Sequence, residues 1–351
     1  MKEEKYMRRC IELAKNGLGA TYPNPMVGAV IVHNDQIIGE GWHQKAGQPH
    51  AEVNAVAAVK DQSLLSQSTL YVSLEPCSHF GKTPPCCNLI IDKNIPNVVV
   101  GTIDPNSKVA GSGIAKLKAA GKNVTVGLLE KECQELNKRF FTFHTKKRPY
   151  IILKWAESSD GFIAPKSKDV KAPVWISNAL SRQLVHKWRS EEQAILVGTK
   201  TVLDDNPKLD TRNWNGKNPI RIVLDKSGKI PKESHVFDGK TKTIIITEQE
   251  NLTLFSNCIF ENAIFEVSLP QKIMAILYKH EIQSLIVEGG SQTLQSFIDA
   301  NLWDEIRLFR SNAVMLDGVK APRIAIKKAI HQTLLDDEFV TFFNDDKYNN
   351  L

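Results

Sequence analysis

The amino-acid sequence predicts an α/β protein built as two domains, and three observations carry that expectation. The chain has 351 residues, enough for two domains at the usual ~100–200 residues each. Apolar runs of strand length alternate with segments of helical period in both halves, the pattern of layered α/β folds. Between the halves, Lys146-Lys147-Arg148-Pro149 makes a short charged break ending in a helix-stopping proline, so the expected domains are 1–146 and 147–351.

In the first half, Glu4 to Asn16 reads as a helix with Met7, Cys10, Ile11 and Ala14 on one face. Val27–Val32 and Ile37–Trp42 flank His33-Asn34-Asp35-Gln36, a hairpin signal. Ala51 to Lys60 has the alanine and valine spacing of a short buried helix. Leu70–Leu74 and Val98–Thr102 read as strands, and Ile114–Ala120 as a helix. The expected sheet has mixed or parallel strands. In the second half, strand-like runs recur at Tyr150–Leu153, Ala194–Val197, Ile220–Leu224, Thr243–Thr247 and Leu285–Val287. Helical patterns at Leu180–Trp188 and Ile273–Tyr278 lie between them, which predicts a largely parallel sheet. The last stretch, Asp336 to Leu351, is polar and aromatic and receives no assignment.

Composition narrows the function classes. No apolar run approaches the ~20 residues that span a membrane, and MKEEKYMRRC has no signal-type apolar stretch behind its charges. The cytoplasm is the expected location. A formal charge of +6 is mild and suits an anionic small molecule, such as a phosphorylated one. No basic arm with interleaved aromatics is present, so nucleic acid is not an expected partner. The cysteines, Cys10, Cys77, Cys86, Cys87, Cys133 and Cys258, do not read as a disulfide framework in such a chain. Cys77, Cys86 and Cys87 crowd beside prolines and a histidine, which points to metal binding.

The metal constellation starts at His50-Ala51-Glu52, where a helix opens. Strand Leu70–Leu74 then runs into Glu75-Pro76-Cys77-Ser78-His79-Phe80-Gly81-Lys82-Thr83-Pro84-Pro85-Cys86. One imidazole (His50) and two thiolates (Cys77 and Cys86) supply three ligands of a tetrahedral zinc and leave a fourth position for water, the mark of a catalytic site. H-x-E followed by P-C and a further cysteine is the pattern of zinc deaminases, with the glutamate as acid/base and not a ligand. Glu52 is accordingly the expected proton carrier. A lone H-x-E carries no information, and adjacent cysteines are often buried hydrophobes; the joint pattern carries the reading. Cys87 is an alternative to Cys86 as ligand. Eight residues separate Cys77 from Cys86, not the two of most zinc deaminases. The longer loop carries His79, Gly81 and Lys82, which suit a substrate's phosphate or ring.

Three motifs together resemble the bifunctional riboflavin-biosynthesis deaminase–reductase family. They are Tyr22-Pro23-Asn24-Pro25-Met26-Val27-Gly28-Ala29-Val30, His50-Ala51-Glu52, and the Pro76–Cys86 loop. The resemblance runs to about residue 320. It implies zinc ligands at His50, Cys77 and Cys86, a proton shuttle at Glu52, and Asn24 and His79 in the pyrimidine pocket. Asp104-Pro105-Asn106 with Val109-Ala110-Gly111-Ser112-Gly113-Ile114 matches a further family stretch. The fold implied for the first half is cytidine-deaminase-like.

The second half identifies no cofactor by itself, since no G-x-G-x-x-G follows a strand. Its best local signal is Leu285-Ile286-Val287-Glu288-Gly289-Gly290-Ser291, a strand, an acid and two glycines ahead of the predicted helix Gln292–Ile298. A glycine pair there is more often only a turn. Lys154-Trp155-Ala156-Glu157-Ser158-Ser159-Asp160-Gly161, Val197-Gly198-Thr199 with Thr201–Pro207, and Val287-Glu288-Gly289-Gly290 resemble the reductase half of the same family. That half is dihydrofolate-reductase-like and uses NADPH. The resemblance implies that Glu157, Trp175, Thr201, Asp205, Gly290 and Ser291 border NADPH. It also implies that Arg189, Leu209, Arg212 and Glu288 border a phosphoribosyl substrate, the arginines by bidentate contact. The chain departs from the family at Ser159 and Asn206, and the segment Pro165 to Pro173 is slightly longer than usual. Lys154 receives no role.

The implied reactions are a zinc-assisted hydrolytic deamination of a 2,5-diamino-6-(phosphoribosylamino)pyrimidinone, followed by NADPH reduction of its ribosyl group. The expected partner is thus a phosphorylated pyrimidine small molecule, with a homo-oligomer as the assembly and no nucleic acid or membrane. Two rival classes stand beside this. A nucleic-acid base deaminase calls for C-x-x-C and a basic strand-binding face; a zinc-stapled structural module calls for a fourth protein ligand, for which His79 is the nearby candidate.

Overall fold

In this computed structural model the described residues are 3–80, 84–106, 109–169, 171–250, 255–325 and 328–344. They form two units, Met1–Lys147 and Arg148–Leu351, each described by itself. The first unit begins with α1 (Glu4–Lys15), whose apolar stripe of Met7, Cys10 and Leu13 is buried. The hairpin of β1 (Gly28–His33) and β2 (Gln36–Trp42) turns through Asn34 and Asp35, at φ 46° and 63°. Both residues tolerate the left-handed region that a tight hairpin demands. Next come α2 (Ala51–Ala58), β3 (Thr69–Leu74), α3 (Cys86–Asp92), β4 (Asn97–Thr102) and α4 (Ser112–Ala119). The unit closes with β5 (Asn123–Val126), α5 (Glu130–Leu136) and α6 (Lys138–Lys146).

The sheet order is β2-β1-β3-β4-β5. β1 is antiparallel to both neighbours, whereas β3, β4 and β5 are parallel. Alternation along the strands feeds two cores. Ala29, Ile31, Leu70, Val72, Val98 and Val100 pack with Ala51 and Ala55 of α2, Ile90 of α3 and Leu117 of α4. Val30, Tyr71 and Val99 face the other way, onto Met7 and Cys10 of α1 and Cys133 of α5. A sheet buried on both faces leaves its chemistry to the strand ends and helix starts.

The second unit runs through β6 (Tyr150–Glu157), β7 (Phe162–Ala164), α7 (Ala179–Glu191), β8 (Ala194–Gly198), α8 (Thr199–Asp205), β9 (Ile220–Leu224) and β10 (Thr243–Thr247). It continues with β11 (Cys258–Asn262), α9 (Leu269–Lys279), β12 (Ser284–Gly289), α10 (Ser291–Asp299) and β13 (Glu305–Arg310). Last are β14 (Val319–Lys320), β15 (Ala329–Leu334) and β16 (Asp337–Phe343). The sheet order is β11-β10-β9-β8-β12-β6-β13-β16-β15, parallel from β11 to β13. β16 enters antiparallel between β13 and β15, and β14 pairs with β7 apart from the main sheet.

Of the stretch from Asp336 to Leu351, unassigned from sequence, Asp337–Phe343 is therefore an interior strand, and residues 345–351 lie outside the described residues. Phe339, Val340 and Phe342 are buried, and Asp337 accepts hydrogen bonds from Asn178 N and Ser181 Oγ at the start of α7. Among the described residues, no helix is long and apolar enough to cross a membrane.

Candidate functional site

In the first unit the site is built where β3 ends and two helices begin. His50 caps α2 with an extended backbone (φ −73°, ψ 168°), and Glu52 lies in the first turn, buried. α3 opens at Cys86 directly after Pro85, and Cys86 N donates to Cys77 Sγ at 3.3 Å. His50 Nδ1 stands 3.6 Å from Cys77 Sγ and 3.3 Å from Cys86 Sγ. All three ligand atoms lie within 4.8 Å of one another. With Zn–S near 2.3 Å and Zn–N near 2.0–2.1 Å, a tetrahedral ion needs S···N separations of about 3.6 Å, so nitrogen and two sulfurs at this spacing fit zinc. The carboxyl of Glu52 reaches Cys86, and burial pushes it up to about 6. Contact with Cys86 holds the Cys77 thiol down to about 4, and the same contact pushes Cys86 up.

Cys87 lies outside this cluster. Its Sγ donates to Pro76 O at 3.3 Å and Gly113 O at 3.5 Å, inside the core beneath α2. His79 is exposed, close enough to Asp104 for their charges to interact, and it does not join the ligand atoms. Gly81 and Lys82 lie outside the described residues.

Three supporting residues carry no sequence signal of their own. Glu75 is buried at the end of β3 and accepts backbone N–H bonds from Asp104 (3.2 Å), Gly111 (2.9 Å), Gly113 (2.8 Å) and Ile114 (3.3 Å). It ties the stretch after β4 to the loop that bears Cys77. Gly113 is needed in that contact, because a Cβ there would stand 2.1 Å from Pro76 O. His43 is buried; its Nδ1 lies 3.1 Å from Pro49 O and its Nε2 3.0 Å from Asn24 Nδ2. A carbonyl accepts only, so Nδ1 carries the proton and Nε2 accepts from the Asn24 amide. The His43 ring meets that of His50 edge-on, with centroids 5.2 Å apart, which links Asn24 to the ligand histidine. Asn137 exchanges two 2.8 Å bonds with the backbone of Met26 and so pins the segment that carries Asn24.

In the second unit the expected residues fall on two faces of the sheet. Lys154 on β6 and Glu288 on β12 leave toward α7, where Arg189 meets Glu288 in a bidentate pair, Nε–Oε1 2.9 Å and Nη2–Oε2 2.6 Å. Burial raises Glu288, but the charges of Arg189 and Lys154 outweigh it and bring it down to about 2. Burial lowers Lys154. Arg189 therefore departs from the expected free phosphate fork: Glu288 fills its paired donors, and Nη1 donates to Asp210 O at 3.2 Å. Arg212, more open, pairs with Asp210. Leu209 is buried in the core at φ 54°, so its side chain packs inward and its main chain is what a ligand could meet. His186, missed from sequence, lies at 2.8 Å from Asp210 O beside Arg189.

The residues expected at the cofactor gather mostly around the β8 and β12 ends. Gly290 caps α10, and Thr201 Oγ1 lies 2.9 Å from where a Cβ on Gly289 would be, so the β12 turn packs against α8 through glycine alone. Ser291 Oγ donates to Lys320 O at 2.7 Å. Asp205 pairs with Lys168, and Trp175 is largely exposed with the Arg182 guanidinium 5.0 Å above its ring. Glu157 stands apart, on the strand face opposite Glu288, where it accepts from Trp155 Nε1 at 2.9 Å and Arg310 Nε at 3.1 Å. Backbone that approaches closely at a helix start suits the phosphates of NADPH.

Each unit matches a known protein family. Residues 1–102 match the cytidine and deoxycytidylate deaminase zinc-binding region, and residues 149–339 match the RibD C-terminal domain. Riboflavin biosynthesis protein RibD of Aquifex aeolicus (strain VF5) is 40% identical over 356 residues, covering 97% of this chain and 98% of that protein. RibD of Escherichia coli (strain K12) is 35% identical over 326 residues, covering 88% and 87%. A crystal structure from Thermotoga maritima, of a diaminohydroxyphosphoribosylaminopyrimidine deaminase/5-amino-6-(5-phosphoribosylamino)uracil reductase, is 39% identical. It superposes with a TM-score of 0.86 over 97% of this chain and 98% of that one. The chain thus belongs to the RibD family of riboflavin biosynthesis proteins, which join a zinc-dependent deaminase of cytidine-deaminase type to an NADPH-dependent reductase.

Proposed function

We propose that this chain deaminates 2,5-diamino-6-(5-phosphoribosylamino)pyrimidin-4(3H)-one and then reduces the product's ribosyl group to give 5-amino-6-(5-phosphoribitylamino)uracil. Residues 1–146 carry the first reaction and 147–351 the second. The observation that supports the first step most directly is the His50–Cys77–Cys86 cluster with buried Glu52 against it. Bound there, zinc supplies a Lewis acid that brings the pKa of a water to roughly 7. Glu52 takes a proton from the attacking water and passes protons to the ring nitrogen and the departing amine, which leaves as ammonia. Asn24, its amide oriented by His43, holds the pyrimidine, and His79 lies at the mouth.

In the second step NADPH brings the hydride, and the protein binds and orients. Gly290, Ser291, Thr201, Asp205 and Trp175 border the cofactor, with Glu157 at the neighbouring strand end. Glu288 and Arg189, with Arg212 and the main chain of Leu209, border the phosphoribosyl chain. The paired Glu288–Arg189 group acts as a rigid wall, and Arg212, paired with Asp210 but more open, is the arginine that meets the phosphate. The reading includes a homo-oligomer working in the cytoplasm, which light scattering and cell fractionation test. The reactions are tested by supplying the diaminopyrimidinone phosphate to purified, zinc-loaded chain, with ammonia release and NADPH oxidation followed separately. Both are expected; no ammonia from zinc-loaded chain rejects the substrate. Ammonia without NADPH loss, even with deaminated intermediate supplied, rejects the second assignment.

A further inference from the structure

The loop between β7 and α7 brings a cation to the proposed cofactor face of the second unit. Thr201 of α8 packs on the Gly289-Gly290 turn. Asp205 follows four residues later in the same helix, and residues at that spacing share a helix face, with Cβ atoms about 5–6 Å apart. The face that meets the glycine turn therefore also carries a carboxylate. Such a charge repels the diphosphate of a dinucleotide unless something cancels it.

Lys168 does so here. Its Nζ donates to Asp205 Oδ1, and also to Ala172 O at 3.2 Å, a carbonyl of its own loop. The two side chains are only 13% and 25% exposed. The neighbouring Asp204 pairs elsewhere, with Lys200. Lys168 lies in the loop that follows β7.

We propose that Lys168 is a positioning residue for the reductase cofactor: paired with Asp205, it neutralises a carboxylate on the NADPH face and holds the loop closed against α8. This rests on the reading that the dinucleotide lies against Thr201 and the Gly289-Gly290 turn. The test measures NADPH dissociation constants, with KM and kcat, for K168M and K168R. K168M is expected to weaken NADPH about 10-fold at low salt, with kcat within about 2-fold, and the defect should shrink as salt screens the freed carboxylate. K168R should keep wild-type affinity. Unchanged NADPH affinity in K168M overturns the proposal, as does a K168R that loses as much affinity as K168M. Gly290→Val separates the underlying reading: if it leaves NADPH binding intact, the cofactor is not at this turn and both ideas fall. If it abolishes binding while K168M is silent, only the role of Lys168 falls.

Discussion

At the scale of single residues, the two adjacent cysteines separate ligand from core. Cys86 faces His50 across 3.3 Å, whereas Cys87 donates to Pro76 O. Cys86→Ala should therefore abolish stoichiometric zinc, and Cys87→Ala should retain it while losing about 1 kcal/mol or so of packing, as small buried deletions do. Metal analysis of the two purified variants checks this, and zinc loss from Cys87→Ala would contradict the assigned ligand set. Glu288 gives a pH prediction. Its carboxyl is held at about 2, below the ordinary 4.5, by buried Arg189 and Lys154. A depressed carboxyl stabilises the fold above its unfolded pKa, and that contribution disappears as pH falls from about 4.5 towards 2. Glu288→Gln should lose about 3 kcal/mol or more at pH 7, because it leaves the buried cations unpaired, and should show a flatter acid limb. Denaturant melts of both proteins from pH 7 to pH 3 read this out; parallel acid limbs would contradict it. The His50–Cys77–Cys86 cluster with Glu52 is legible in the sequence because metal chemistry restricts residue type and spacing together. Glu75 and His43 are not, because their partners are backbone groups and an amide, and neither motif nor period marks such bonds.

At the scale of elements, long apolar strands and amphipathic helices can be read from the chain, and short or partly polar ones cannot. Leu285–Val287 is a buried apolar run and lies within β12. β16 hides behind Asp337, Glu338 and Thr341, so its period-two pattern is broken by a buried acid that accepts hydrogen bonds from Asn178 and Ser181 at the start of α7 and by adjacent buried Phe339 and Val340. Pairing with β13 and β15 covers both edges of β16, while Phe339 packs with Trp188 and Phe309 on one face and Val340 and Phe342 join the larger core on the other. Phe342→Ala should accordingly cost about 3–5 kcal/mol, the usual range for a buried phenylalanine, although it lies far from every proposed cofactor residue in sequence. Thermal melts check it, and a loss below about 1 kcal/mol would mean that β16 is not an interior strand. The glycine turn after β12 shows the opposite limit. Gly289-Gly290 is visible as a glycine pair, but only the contact with Thr201 shows that the pair serves close packing.

At the scale of the whole molecule, the charged break at Lys146–Pro149 marks where two separate cores meet in sequence, and the division falls between Lys147 and Arg148. Each unit has its own sheet and its own cluster of perturbed or paired titratable groups at helix starts and strand ends. The central claim is that one chain holds two separable chemistries, with proton transfer by Glu52 confined to the first. Glu52→Gln keeps the side-chain volume and leaves His50, Cys77 and Cys86 in place, so zinc should remain bound. Its ammonia release should fall by roughly 10²- to 10⁴-fold, the usual contribution of a positioned acid/base group. Supplied with the deaminated intermediate, the same variant should oxidise NADPH at the wild-type rate. A zinc-loaded Glu52→Gln that still releases ammonia at the wild-type rate, or one that loses NADPH oxidation as well, would contradict that claim.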